Sequence, residues 1–339
     1  MLGLHQNPET RKESFETWFK ARKKTYGAGQ QQISSQYERE QKDAVLAEFH
    51  VKAKPYFFQR SKEDHLRDKF LHKVARYDVW TIPSKAQKEA AASFMKSSDL
   101  VENANDNQFS ALPAIAKLRQ ISFHHYFGST GREEEEEENG NGLSAYLEAY
   151  LQKTSVSQIR ADSPKLALCA DMVRNFVSNN HKVLIFSEFK RPFYFLERLL
   201  ESKQIGSYRM HGDEPPSHRD DHVRDFQSQN SKHKVMLLTY GAAGVGITLN
   251  AADRIIFLSP HWNPAVEEQA EGRMDRIGQT NECISIRLFN AGSIEQSIHG
   301  YQAQKEANTL EALVSRCKGY ACLFVCLFRM MMLTKDVFA

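Results

Sequence analysis

The chain has 339 residues, of which 41% are hydrophobic and 26% charged, and its 45 basic and 42 acidic side chains leave a formal charge of +3. That composition fits a soluble, folded protein with a core of ordinary size, and a charge this balanced is no sign of nucleic-acid binding: any basic surface has to be local. The five cysteines, Cys169, Cys283, Cys317, Cys322 and Cys326, include no paired C-x-x-C, which excludes a disulfide framework or zinc site and predicts free thiols in a reducing compartment.

From the N-terminus, MLGLHQNPETRKESF has no long apolar run, so no secretory signal is expected. Residues 1–130 are charged and patterned mostly as helices; Gln36 to Phe49 is rich in helix formers. His124 and His125 form the chain's tight histidine pair, and no metal is assigned to them. Residues 128–142, GSTGREEEEEENGNG, cannot bury apolar surface and predict a solvated linker over about 131–160. The six glutamates serve either as a spacer or as a contact for basic partners such as histone tails.

Over 161–316 the character changes. Short apolar strands are predicted at KVLIFS (182–187), SYRMHG (207–212), KVMLLTY (234–240), RIIFLSP (254–260) and CISIRLF (283–289). Helical patterns lie between them, and one precedes the first strand (PKLALCADMVRNFVSN). Alternation of this kind, with nearly continuous apolar strands, predicts an α/β, doubly wound parallel sheet covered on both faces. Residues 317–339, rich in Cys, Met and Phe, have no clear period and receive no role. Their apolar stretch is broken by Arg329 and falls short of the ~20 residues a membrane span needs, so no membrane partner is expected.

Val235 to Gln279 carries the chemistry. A buried strand runs into YGAAGVG, where small residues at 241–244 and Gly246 either let the backbone approach a phosphate or ribose or make a tight strand–helix connection. Asn263–Pro264 with Glu267 and Glu268 starts a helix. Gln269, Arg273 and Arg276 then recur at i, i+4 and i+7, which puts them on one helix face. An always-charged guanidinium forks onto two oxygens and suits charge building on a transferring phosphoryl group. The other interpretation is a solvated face paired with Glu271 and Asp275.

KVLIFSEF, YRMHGD, LLTYGAAGVGITLNAADRIIFLSPHWNP and QAEGRMDRIGQ, in this order, resemble motifs IV to VI of the Swi/Snf-type ATPases of helicase superfamily two. SIEQSIHGYQAQKEANTLEALV is similar to that family's closing helix. Upstream, PYFFQRSKEDHL (55–66) resembles the exit from the first lobe, and VWTIPSKAQKEAAASF and LRQISFHHYF resemble the helical protrusions after it. The likeness covers about residues 50–315 and leans toward the Cockayne-syndrome-B-like branch.

The resemblance implies a RecA-like second lobe of a motor that binds double-stranded DNA and hydrolyses ATP between two lobes, with nucleosomes as a wider partner and the nucleus as its location. By position, Arg273 and Arg276 match the arginines facing the γ-phosphate, turned toward a crevice at the sheet's carboxyl edge. Gln269, Gly244 and Gly246 match nucleotide-lining positions. Ser187, Arg209, Thr239, Trp262 and Asn263 match the DNA-facing edge; Trp262 could equally be a core aromatic. Gly272, Asp275, Tyr240, Ala243, Glu188 and Ser259 depart from the family pattern, and Glu188 near a DNA phosphate would repel it.

No Gly-Lys dipeptide occurs, so no phosphate-binding loop is present, and Asp213–Glu214 does not follow an apolar strand. The chain by itself is expected not to hydrolyse ATP; Mg²⁺ would be held through a first lobe in cis or in trans. The alternative is a non-catalytic DNA- or chromatin-binding scaffold, and an RNA helicase lobe is a third, disfavoured by WNP and RIGQ.

Overall fold

The computed structural model describes residues 74–97, 108–129, 145–211, 216–243 and 247–314. The proposed helix at 36–49, the exit segment at 55–66, the acidic block, Asp213–Glu214, Gly244, Gly246 and the 317–339 tail lie outside them. All but the last turns of the final helix belong to one compact unit, Leu66–Glu306.

Strand β1 (Ala75–Thr81) is followed by α1 (Lys85–Ser97), α2 (Gln108–Ile121), α3 (Tyr126–Ser129), α4 (Ala145–Lys153), α5 (Val156–Asp162) and α6 (Pro164–Ser178). The alternating part then runs β2 (Val183–Ser187), α7 (Arg191–Glu201), β3 (Ser207–Met210), α8 (Pro216–Gln227), β4 (Val235–Thr239), α9 (Tyr240–Ala243), β5 (Arg254–Phe257), α10 (Pro264–Met274), β6 (Ile284–Asn290) and α11 (Ile294–Val314). The strands form one sheet in the order β1-β6-β5-β2-β4-β3, every neighbouring pair parallel.

The central strands VLIFS and RIIF are buried along their whole length, because helices cover both faces and leave no side for polar residues. Successive side chains serve opposite faces. Ile185, Leu237 and Ile256 join Phe195, Leu199 and Leu166 in one core, while Phe186, Leu238 and Phe257 join Phe226, Ala270 and Met274 in another.

Five strands are predicted from the sequence, and the five are found, four with slightly shorter bounds and the last shifted by one residue. A sixth was assigned to the mostly helical region: ARYDVWT forms β1, in register with β6 from Ala75↔Ile284 to Thr81↔Asn290. Its charged residues hide it from any apolar count. They are satisfied across the fold: Arg76 is paired with Glu271 at 2.6 Å, and Asp78 with Arg287 and His299 at 2.6 and 3.0 Å.

A buried polar web fastens the preceding helices to this sheet. Lys165 and Glu295 form an ion pair at 2.5 Å, with side chains 0% and 1% exposed. The second oxygen of Glu295 accepts from the Asn290 N–H at 2.8 Å, and the Lys165 ammonium lies 4.4 Å from the Phe123 ring centre. Burial pushes the lysine down and the glutamate up, against their mutual attraction. Asn290 donates to the carbonyl of Ser122 and pairs with Thr81 at 2.6 Å, while Gln87 caps the carbonyls of Ile121 and Ser122 at 3.1 and 3.0 Å.

Candidate functional site

The predicted site residues divide between the two edges of the sheet. Arg273 and Arg276 are at the amino edge, beside the segment that enters β5, and not at the carboxyl edge expected for them. The reason is topological: α10 starts beyond the carboxyl end of β5 and runs back to the start of β6, so its last turn reaches the opposite edge. The helix also ends at Met274, with Asp275 as its C-cap, so Arg276 is not on a continuing helical face.

Arg276 instead folds back. Its Nε donates to the Gly272 carbonyl at 3.0 Å, and Nη1 donates to the Thr248 hydroxyl. The backbone N–H of Leu249 donates to the Arg273 carbonyl at 3.0 Å. Gln279 grips the same segment through the carbonyls of Asn250 and Ala252 at 3.1 and 2.7 Å. Gln227 holds it from the other side, donating to the Thr248 carbonyl at 3.0 Å and accepting from the Ala251 N–H at 2.9 Å. Gly278 turns the chain between Arg276 and Gln279 at φ +101°, a conformation that requires glycine.

Arg273 and Arg276 are near neighbours: burial first, and then the charge of Arg276, lower the pKa of Arg273. Glu271, offered by the sequence as a neutralising neighbour, is taken by Arg76. Arg276 has no carboxylate partner among the described residues. Two cations held side by side raise the energy of the free protein and favour an incoming anion. Gln269 is exposed on the middle of α10.

At the carboxyl edge the proposed DNA contacts are less open than the sequence suggests. Ser187 is fully buried, and its hydroxyl accepts from the Phe189 N–H at 3.2 Å. Arg209 is paired with Glu197 at 3.0 Å and lies over the Tyr194 ring at 4.7 Å; burial pushes Glu197 up to about 7. Asn263 is the N-cap of α10, accepting from the Ala265 N–H at 3.3 Å. Thr239 ends β4 beside Ser187. Trp262 is half-buried, with its ring 6.3 Å from that of Tyr301.

Three of the six departures from the family pattern, Glu188, Tyr240 and Ser259, meet at this edge. The Glu188 N–H donates to the Ser259 hydroxyl at 2.9 Å, and the Tyr240 hydroxyl donates to the Ser259 carbonyl at 2.8 Å. The Glu188 carboxylate is paired with Arg119 of α2. The repulsion expected of Glu188 is thereby largely neutralised within the chain. Sequence reasoning missed Arg119, although it stands in LRQISFHHYF, already singled out, because nothing local says which strand end it reaches. The network around Glu267 was missed too: it accepts from the His261 N–H at 2.7 Å and from Gln302 at 3.0 Å, and Gln302 also donates to the His261 carbonyl.

Among the described residues, His124, His125 and Asp162 bring ligand-type atoms within 4.8 Å of one another. The Tyr126 N–H donates to His124 Nδ1 at 3.1 Å, which puts the neutral ring's proton on Nε2, the nitrogen facing Asp162 at 4.0 Å. Burial holds this histidine neutral, down to about 3. In this tautomer His124 presents a proton, and not a lone pair, toward Asp162.

Residues 164–278 match the family described as helicase conserved C-terminal domain. The chain is 29% identical over 287 residues to "SNF2 domain-containing protein ENL1" of Oryza sativa subsp. japonica, covering 78% of this chain and 28% of that protein. It is 28% identical over 277 residues to "CHD3-type chromatin-remodeling factor CHR7" of Arabidopsis thaliana, covering 80% and 21%. With "DNA excision repair protein ERCC-6-like" of Homo sapiens it shares 26% over 286 residues, covering 75% and 23%. The chain thus spans between 21 and 28% of the length of these relatives.

Two solved structures share the fold. One is the C-terminal part of the Fun30 ATPase domain, with TM-score 0.51 and 20% identity, covering 68% of this chain and 90% of that one. The other is the Sulfolobus solfataricus SWI2/SNF2 ATPase core in complex with dsDNA, with TM-score 0.53 and 21% identity, covering 84% and 55%. No described helix is long and apolar enough to cross a membrane. The RecA-like parallel sheet agrees with the comparisons: residues 164–278 match the helicase conserved C-terminal domain, and the chain as a whole is similar to SNF2-type proteins.

Proposed function

We propose that the chain is the second lobe of an ATP-dependent DNA translocase of the chromatin-remodelling or DNA-repair type, acting in the nucleus. The observation that carries this is the adjacent pair Arg273–Arg276 at one end of a RecA-like sheet, with Arg276 aimed by Thr248 and Gly272. In this reading the amino edge faces the γ-phosphate of ATP bound to a first lobe, which supplies the phosphate loop and the Mg²⁺ ligands. Arg276 and Arg273 then stabilise the charge that develops on the transferring phosphoryl group. Gln269, Gly244 and Gly246 are proposed to line the nucleotide by their motif positions.

The carboxyl edge is proposed to follow the phosphates of duplex DNA. Thr239, Asn263, Trp262 and Arg209 supply hydroxyl, amide, aromatic and cationic groups that hold a backbone without reading bases. One solved structure of the same fold is described as in complex with dsDNA, which supports this choice of ligand. Ser187 enters only through its turn, since its hydroxyl is buried.

The test is Arg276→Ala in the chain combined with a competent first lobe. DNA-stimulated hydrolysis should fall by about 10³–10⁵-fold, with ATP affinity nearly kept. Equal turnover in the variant and the parent would remove the arginine from the reaction.

A further inference from the structure

We propose that Arg119 is a positioning residue: from a helix outside the sheet, it sets the attitude of the Trp262 loop at the edge that meets DNA. This rests on the reading of the carboxyl edge given above.

Arg119 belongs to α2 and is 3% exposed. Its Nη2 donates both to the Glu188 carboxylate and to the Pro260 carbonyl, the latter at 2.7 Å. The guanidinium lies 5.4 Å from the Phe189 ring centre and 5.7 Å from that of Trp262. Glu188 and Phe189 follow β2, while Pro260 and Trp262 follow β5, and these strands are neighbours in the sheet. One planar cation therefore bridges two adjacent loops through a carboxylate, a carbonyl and two ring faces.

Two further bonds make the junction particular to this chain. Glu188 and Tyr240 are both tied to Ser259, the residue before Pro260. Three of the six departures from the family pattern thus hold the same loop that Arg119 holds. Beyond it, the His261 carbonyl is fixed by Gln302 at 2.6 Å, so Trp262 directly follows two anchored carbonyls. A lysine at 119 would keep the charge, but it is one bond too short to bring its nitrogen to where Nη2 serves both Glu188 and Pro260, and it loses the planar guanidinium that lies over the Phe189 and Trp262 rings.

The experiment labels Trp18, Trp80 and Trp262, the three tryptophans of the chain, with 5-fluorotryptophan. Fluorine NMR then follows Trp262 while anisotropy measures binding of a mixed-sequence duplex over a salt series. In Arg119→Lys, the Trp262 resonance should move before DNA is added and that of Trp80 should stay. Duplex affinity should fall about tenfold, the size of losing one well-buried anchor. In Glu188→Gln, whose amide oxygen still accepts from Arg119, the Trp262 resonance should remain, and affinity should rise a few-fold because the Arg119 charge at this edge is no longer neutralised.

If Arg119→Lys does not fold, the double variant Arg119→Met with Glu188→Gln leaves no buried charge unmatched and should show the same displaced Trp262 and the same weakening. An unmoved Trp262 in these Arg119 variants, or parental duplex affinity in them, would overturn the proposal. Failure of the parent to bind duplex at low salt would instead overturn the reading of the edge, and the DNA-free Trp262 resonance would still report whether Arg119 positions the loop.

Discussion

The amino and carboxyl edges of this sheet treat charge in opposite ways. At the amino edge two guanidinium groups stand together, the Glu271 carboxylate of the same helix is drawn off by Arg76, and the groups aiming Arg276 are a neutral hydroxyl and a carbonyl. At the carboxyl edge Arg119 meets Glu188, Arg209 meets Glu197, and hydroxyls are spent on turns. One edge gathers positive charge and the other pairs its cations with carboxylates. Two neighbouring cations suit a transient, highly charged ligand. A self-paired edge suits a partner that slides along it and must not be gripped too hard.

The carboxyl edge depends on the web beneath it, so the largest expected effect comes from breaking that web. Lys165→Met strands Glu295 in the core and should cost about 3–5 kcal/mol in urea unfolding. Lys165→Met combined with Glu295→Gln should recover most of the loss. A single variant within about 1 kcal/mol of the parent would show that the pair is not buried as described.

A smaller effect separates the helices from the edge they carry. Burial lifts Glu267 to about 7, above its ordinary value of 4.5, so in that window the folded chain holds a proton that the unfolded chain has released. The contribution of this site to stability therefore falls as pH rises from about 4.5 to 7. Glu267→Gln should be more stable than the parent at pH 8 by roughly 2 kcal/mol and should lose that advantage near pH 4.5. Thermal melts at the two pH values check this, and parallel curves would contradict it.

The smallest effect concerns the amino edge. A side-chain carbon at Gly272 would meet nothing within 4 Å. Gly272→Ala should thus stabilise α10 by up to about 1 kcal/mol without disturbing the carbonyl that holds Arg276. A loss of stability in chemical denaturation would mean that the open space is used.

Most of the sheet was legible because its central strands are buried on both faces and therefore read as unbroken apolar runs. The start of α10 was equally legible, since Asn263 and Pro264 are a cap and a first-turn residue in sequence as in structure. Strand β1 was not, because Arg76 and Asp78 find their counter-charges about two hundred residues away. Helical periodicity also misplaced Arg276: it counts through Asp275, where the helix stops. Arg119 and Glu188 carry no signal of each other, being 69 positions apart, and their meeting is a product of packing.

The first described strand lies against the last, with Thr81 and Asn290 joined across 209 positions. During synthesis β1 emerges from the ribosome long before β6 exists, and must wait unpaired while the middle of the lobe assembles. A fragment cut at 164 and 278, where the family match begins and ends, would lack both β1 and β6 and leave β5 with an open, apolar flank. Such a piece should aggregate in isolation. The folding unit is wider than the stretch by which its ancestry is recognised.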